Sequence, residues 1–130
     1  MMSTYWSRAL LSLLTAALAL AATFPDYTTV SGSAAYTTKI DDVWSQTCVE
    51  DAYCVFEAIS AKNISTAIGI LRQTNTIFAV RSGGHMPNPG ANSISNGVLI
   101  STSSLNTLKL SANHDVVHIG PGLRWYDVYI

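Results

Sequence analysis

The chain has 130 residues, 48% of them apolar and 12% charged, with a formal charge of −1 at pH 7. That length bounds it to one small domain or a piece of a larger one. The composition excludes a disordered tail, and the near-neutral charge gives no steering toward nucleic acid or an acidic membrane. From the amino terminus, Met1 to Arg8 is short and slightly positive, Ala9 to Ala22 is a nearly unbroken run of Ala and Leu, and Ala19-Leu20-Ala21 has the small-x-small pattern of a cleavage site. Residues 1–21 therefore read as a secretory signal peptide, with a secreted mature chain beginning near Ala22. The run falls short of the about 20 apolar residues that a spanning helix needs, so no membrane anchor is expected. Residues 22–48 read as an N-terminal arm. Phe24 to Trp44 is rich in Thr, Ser, Gly and Tyr without a sustained period, and Asp41 and Asp42 read as the solvated start of a short helix.

Cys48 and Cys54 are the two cysteines. In a secreted chain an even count suggests a local disulfide, the alternatives being free thiols or pairing elsewhere. Tyr53-Cys54-Val55-Phe56 is a β-prone run. Ile64, Ala67, Ile68 and Leu71 fall at helical spacing and predict a helix from Asn63 to Asn75, started by Ser60 or Asn63. Asn63-Ile64-Ser65 is also a glycosylation sequon. Ile77 to Val80 is a second strand, so strand, helix and strand make a βαβ unit with a parallel pair. Val98-Leu99-Ile100, Leu105 to Leu110 and Val116-Val117-His118-Ile119 read as further strands, and Arg124 to Ile130 starts a helix-like pattern. Trp125, Tyr126 and Tyr129 read as packing residues. His114, Asp115 and His118 could suggest a metal pair, but a strand at Val116 to Ile119 separates their directions, and no metal site is expected.

Arg81-Ser82-Gly83-Gly84-His85 carries the most information. It follows the apolar run Thr76 to Val80, and ligands of open α/β sheets gather at the carboxyl ends of strands. Adjacent glycines let the backbone approach a ligand, and successive N–H groups in such a turn can form a nest for an anion, typically a phosphate. His85 stands at the lip of that nest. The turn is not a dinucleotide-binding fingerprint, because Pro87 and Pro89 forbid the helix that would have to follow. Ser82 to Asn96 holds three glycines, two prolines and three asparagines. A connection of that length in a compact domain is usually functional.

The segment Phe-Ala-Val-Arg-Ser-Gly-Gly-His-Met-Pro-Asn-Pro-Gly-Ala-Asn-Ser-Ile, from Phe78 to Ile94, resembles the flavin-attachment segment of the FAD-linked oxidases, the family of vanillyl-alcohol oxidase and berberine bridge enzyme. Ala52 to Phe56 resembles that family's entry strand, Asn63 to Arg72 its first helix, and Val116 to Tyr129, with Gly120-Pro121-Gly122, its second glycine turn. The resemblance implies an α+β fold: residues 49–130 as the N-terminal part of a PCMH-type FAD-binding domain. It further implies FAD as cofactor, its diphosphate cradled by the backbone of Arg81, Ser82, Gly83, Gly84, His85 and Met86. His85 would be joined covalently to the flavin, and Gly120 and Gly122 would lie close to it. The implied activity is oxidation of a small organic molecule in secondary metabolism, with O₂ as acceptor.

Ala52 and Glu57-Ala58-Ile59 stand where family members often carry prolines, and neither Cys48 nor Cys54 matches the second flavin-linking cysteine. The substrate-binding sheet and catalytic base of the family match nothing up to Ile130. The alternative expectation is a non-catalytic remnant, or a flavin-binding fragment that needs a partner chain.

Overall fold

A computed structural model describes residues 3–129; Met1 and Met2 of the basic opening and Ile130 of the last helix-like pattern lie outside them. Four strands form a sheet in the order β1 (Thr28–Val30), β2 (Cys54–Glu57), β4 (Val98–Ser101), β3 (Phe78–Arg81). β1 runs antiparallel to β2, while β2 and β3 both run parallel to β4. The expected βαβ unit is present, but its two strands do not pair with each other: β4 enters between them. β4 is buried along its whole length, as its continuous apolar run suits a strand covered on both faces, whereas Phe78 and Val80 of β3 remain exposed at the sheet edge.

Alternation along β2 and β4 sorts the core into two layers. Cys54, Phe56, Val98 and Ile100 face helices α1 (Ser3–Thr23) and α3 (Ala61–Gln73). Val55 and Leu99 face the other way, against Tyr36 and Ile40 of the short helix α2 (Tyr36–Ile40). In α3 the expected apolar stripe is present: Ala67 and Leu71 are buried, with Ile64 and Ile68 packed beside them. Ser60 caps α3, its Oγ accepting from the Asn63 N–H at 3.1 Å and donating to Asn63 Oδ1 at 2.9 Å. The sequon asparagine is thus half-buried in the first turn of a helix and engaged in its cap.

Several expectations are corrected. In the full chain the segment read as a leader forms most of α1, which packs Ala16, Ala17 and Leu20 against Phe56, Ala67 and Leu71 and also buries Leu13. Its small Ala16 and Ala17 let the helix approach closely. No helix among the described residues is long and apolar enough to cross a membrane. The arm is not irregular throughout, since it supplies β1 and α2. Asp41 ends α2 rather than starting a helix, its N–H donating to Thr37 O. Cys48 and Cys54 are separate buried thiols, not a disulfide. Cys54 turns into the layer under α1 and α3, whereas Cys48 sits beneath the long loop with its Sγ donating to Pro87 O at 3.0 Å.

Beyond the sheet, β5 (Leu108–Leu110) and β6 (Val117–Ile119) form an antiparallel hairpin. β5 starts later than expected because Leu105 is spent on a turn, its N–H donating to Thr102 O at 2.8 Å. Helix α4 (Trp125–Tyr129) follows, and here Trp125, Tyr126 and Tyr129 are exposed rather than packed in a core. His114 takes a left-handed turn at φ 59°, and His118 stands in β6 opposite Lys109.

Candidate flavin-binding site

The glycine turn emerges from the carboxyl end of β3. Its entry is tied to the neighbouring strand: Arg81 O accepts from Thr102 N at 2.9 Å and from Thr102 Oγ1 at 3.2 Å. Past that point the backbone is held through its carbonyls. Gly83 O accepts from Arg124 Nε at 3.1 Å, and Gly84 O accepts from Trp44 N at 2.8 Å. Met86 O accepts from Asn92 Nδ2 at 3.3 Å and Pro87 O from Cys48. The N–H groups of Gly83, Gly84, His85 and Met86, by contrast, donate to no protein acceptor among the described residues. Four successive free amides beside two glycines are the donor set an anion nest requires.

Gly84 is obligatory on two counts. Its φ is +70°, and a Cβ there would lie 2.6 Å from Asp42 O. At Gly83 a Cβ would meet Arg124 Cγ at 3.2 Å. The turn therefore packs closely against both segment 42–44 and Arg124. Arg124 is itself fixed by Asp42, whose Oδ1 accepts from Nη2 at 2.7 Å.

Arg81 departs from the sequence reading. Its side chain is only 2% exposed, with the guanidinium turned away from the turn to donate to Ile40 O at 3.1 Å and to Lys39 O. Its Nε is buried with no partner among the described residues, and burial pushes the guanidinium pKa down. Arg81 thus anchors α2 to β3, and its carbonyl belongs to the Thr102 contact. The Ser82 N–H, like those of the four residues after it, meets no protein acceptor among the described residues. Ser82 contributes a side chain, its Oγ donating to Pro121 O.

That contact brings the second glycine turn alongside the first. Gly120 and Gly122 face away from the nest: a Cβ on Gly120 would lie 2.1 Å from Leu105 O, and one on Gly122 2.3 Å from Thr102 O. Their role is close packing on loop 102–107, which seats Pro121 and Arg124 next to Ser82 and Gly83.

His85 is exposed on a ridge between two clefts, with the Trp44 ring 5.7 Å from its own and inclined by 48°. One cleft, about 540 Å³, is lined by Ser82, Gly83, His85, Arg124, Trp125 and Tyr126. The other, about 300 Å³, is lined by Gly84, His85, Met86, Ala91 and Asn92 among others. A third cleft, of about 440 Å³, lies over Lys39, Glu57 and Arg81. There Glu57 accepts from Lys39 Nζ, Ser104 Oγ and, at 3.4 Å, Ser103 Oγ. These bonds, the Lys39 one foremost, hold the Glu57 carboxyl below the usual range. Lys39 and Glu57 are paired with each other there and Arg81 is spent on backbone carbonyls, whereas the two clefts at His85 are lined by the residues of the glycine turn itself.

The sequence reading missed Asp42, Trp44 and Arg124 as parts of this site. Trp44 and Asp42 lay in a stretch without periodicity, while Arg124 sat inside the second glycine motif, unassigned.

Comparisons with known proteins identify the family and the fold. Residues 52–130 match the FAD-binding domain family. The FAD-dependent monooxygenase prx3 of Penicillium roqueforti is 45% identical over 111 residues, covering 85% of this chain and 22% of that protein. The FAD-dependent monooxygenase yanF of Aspergillus niger is 43% identical over 103 residues, 78% of this chain and 18% of that protein. The chain thus spans about a fifth of the length of the curated relatives it matches. Among solved structures, the BBE-like 1 protein of Physcomitrella patens superimposes with a TM-score of 0.69 at 14% identity, over 87% of this chain and 24% of that one. The 6-hydroxy-D-nicotine oxidase of Arthrobacter nicotinovorans gives 0.67 at 19% identity, over 74% and 21%. The fold is the α+β arrangement of part of a PCMH-type domain, and the chain belongs to the FAD-binding domain family.

Proposed function

We propose that the amides of Gly83, Gly84, His85 and Met86 hold the diphosphate of FAD and that His85 carries the flavin through a covalent bond to its 8-methyl carbon. The observation that carries this reading is the run of four unpartnered amides ending beside an exposed histidine on a ridge between two clefts. When bound, the flavin supplies hydride acceptance, chemistry that no side chain provides. The chain's own part is positional. The glycine turn gives a close, side-chain-free approach to the diphosphate, Trp44 lies against the His85 ring, and Trp125 and Tyr126 offer apolar wall to the larger cleft.

The reaction in this reading is oxidation of a small organic molecule by an FAD-dependent oxidoreductase, with O₂ as the final acceptor. The names of the fungal relatives as FAD-dependent monooxygenases support it, and a role in secondary metabolism belongs to the same proposal. Export is a further part: the apolar run ending at Ala19-Leu20-Ala21 supports it, and N-terminal sequencing of protein from the medium, beginning near Ala22, tests it.

A second reading is a chain that holds flavin only with a partner chain. It draws on the exposed Leu108, Leu110, Val117 and Ile119 of the hairpin and on Tyr129 of α4. One experiment separates the two: visible absorption of the purified chain before and after denaturation and desalting. Colour that survives denaturation and disappears in His85→Ala supports the first reading. A folded, colourless chain that turns yellow only with added partner supports the second.

A further inference from the structure

Gly83 and Gly84 turn their carbonyls to protein donors and leave the following amides free. That division has a geometric consequence. The chain has no cis peptide bonds among its described residues, and in a trans peptide the C=O and the next N–H point in opposite directions. Arg124 Nε on Gly83 O therefore fixes where the Gly84 N–H points, and the Trp44 N–H on Gly84 O does the same for the His85 N–H. Glycine populates positive and negative φ about equally, so a Gly-Gly peptide has little intrinsic reason to keep one orientation. The donors on its carbonyls decide it.

We propose that Arg124, held by Asp42, is a positioning residue that locks the Gly83–Gly84 peptide with its amide toward the anion site. The proposal rests on the flavin reading above for the identity of the anion. Asp42 serves from two atoms: Oδ1 holds the Arg124 guanidinium at 2.7 Å, and its backbone oxygen forms the wall 2.6 Å from the Cβ position of Gly84. Segment 42–44 and Arg124, joined through Asp42, thus work as one clamp on the turn. The clamp is exposed at both charged ends, so the ion pair itself adds little to stability. Its effect lies in the direction of a dipole.

A purely electrostatic view makes the opposite prediction for Asp42. Removing a negative charge near an anion site raises the local potential and tightens anion binding. Under the clamp, Asp42→Ala frees Arg124, lets the peptide turn and weakens binding despite the more favourable charge. Inorganic diphosphate is the probe, titrated calorimetrically into the full chain, with Asp42→Ala and Arg124→Lys as variants. The lysine variant keeps the charge and loses the Nε–H that reaches Gly83 O.

Losing one charge-assisted hydrogen bond to the turn predicts weakening of about tenfold in each variant. In the ligand-free chains, residual dipolar couplings of the Gly84 and His85 N–H vectors give the second readout: the Gly84 vector reorients in both variants and the His85 vector much less. Unchanged couplings for Gly84, or diphosphate binding as tight as or tighter than wild type in Asp42→Ala, would overturn the clamp. Failure of the wild-type chain to bind either FAD or diphosphate would instead sink the flavin reading, and the dipolar couplings would still decide the clamp.

Discussion

A Cβ on Gly84 would lie 2.6 Å from the carbonyl oxygen of Asp42, at a residue whose φ is +70°. Gly84→Ala therefore meets both a left-handed penalty and a backbone wall that cannot give way like a side chain. The first effect alone costs about 1–2 kcal/mol. Gly90 provides the control, since its φ is +78° but its nearest neighbour is Glu50 Oε1 at 3.8 Å, the far end of a side chain. Gly84→Ala should lower the melting temperature clearly more than Gly90→Ala and should lose flavin retention. Equal losses would remove the wall from the account.

Cys48 and Cys54 should titrate as two free thiols in denaturant without reductant. In the native chain Cys54 should resist alkylation at pH 8, because burial pushes its thiol pKa up to about 12 and only the thiolate is nucleophilic. Mass spectrometry after iodoacetamide, native and denatured, checks both statements. A denatured chain that takes up no label carries a disulfide and contradicts the structure.

Glu57 gives the chain an acid-sensitive joint between α2, β2 and the loop after β4. Its carboxyl is held below the ordinary value, so it contributes stability that is complete above about pH 4.3, the unfolded reference. That contribution is lost as pH falls through the lowered folded value. Thermal melts between pH 7 and pH 3 should show stability falling below about pH 4.3. Glu57→Gln should be less stable at pH 7 and show a flatter acid limb, whereas parallel curves would assign the acid loss to other groups.

Leu13, Ala16, Ala17 and Leu20 are buried by α1. At roughly 2 kcal/mol for a buried leucine, removing residues 1–21 should destabilise the chain by roughly 5 kcal/mol and uncover Phe56, Ala67 and Leu71. Melting curves of the full and shortened chains test this. Equal midpoints would mean that the helix does not belong to the core in solution, as a leader lost on export would not.

The parts of this fold legible in the sequence were those with local signals. The stripe of Ile64, Ala67, Ile68 and Leu71 marks α3 by its period, and the break from an apolar run into Gly83-Gly84 marks the end of β3. Strand order was not legible, because Ile77 to Val80 and Val98 to Ile100 are equally short and apolar, and only tertiary packing makes the second the buried centre. The arm hid β1 and α2 because Thr, Ser and Gly carry no period. An Ala-Leu leader and an Ala-Leu core helix have the same composition, so sequence does not decide which of the two α1 is. The clamp was invisible for a different reason: Arg124 meets Asp42 across 82 residues of sequence and Gly83 across 41.

The central claim is that the amides of Gly83 to Met86 receive a diphosphate. A ¹⁵N-correlated NMR titration of the full chain with FAD, repeated with inorganic diphosphate, tests it most directly. The account predicts saturable shifts of the Gly83, Gly84, His85 and Met86 amides with both ligands, and further shifts near Trp125 and Tyr126 with FAD alone. Saturable shifts centred on the Lys39–Arg81 cleft, or no shift in the four amides at saturating FAD, would contradict it.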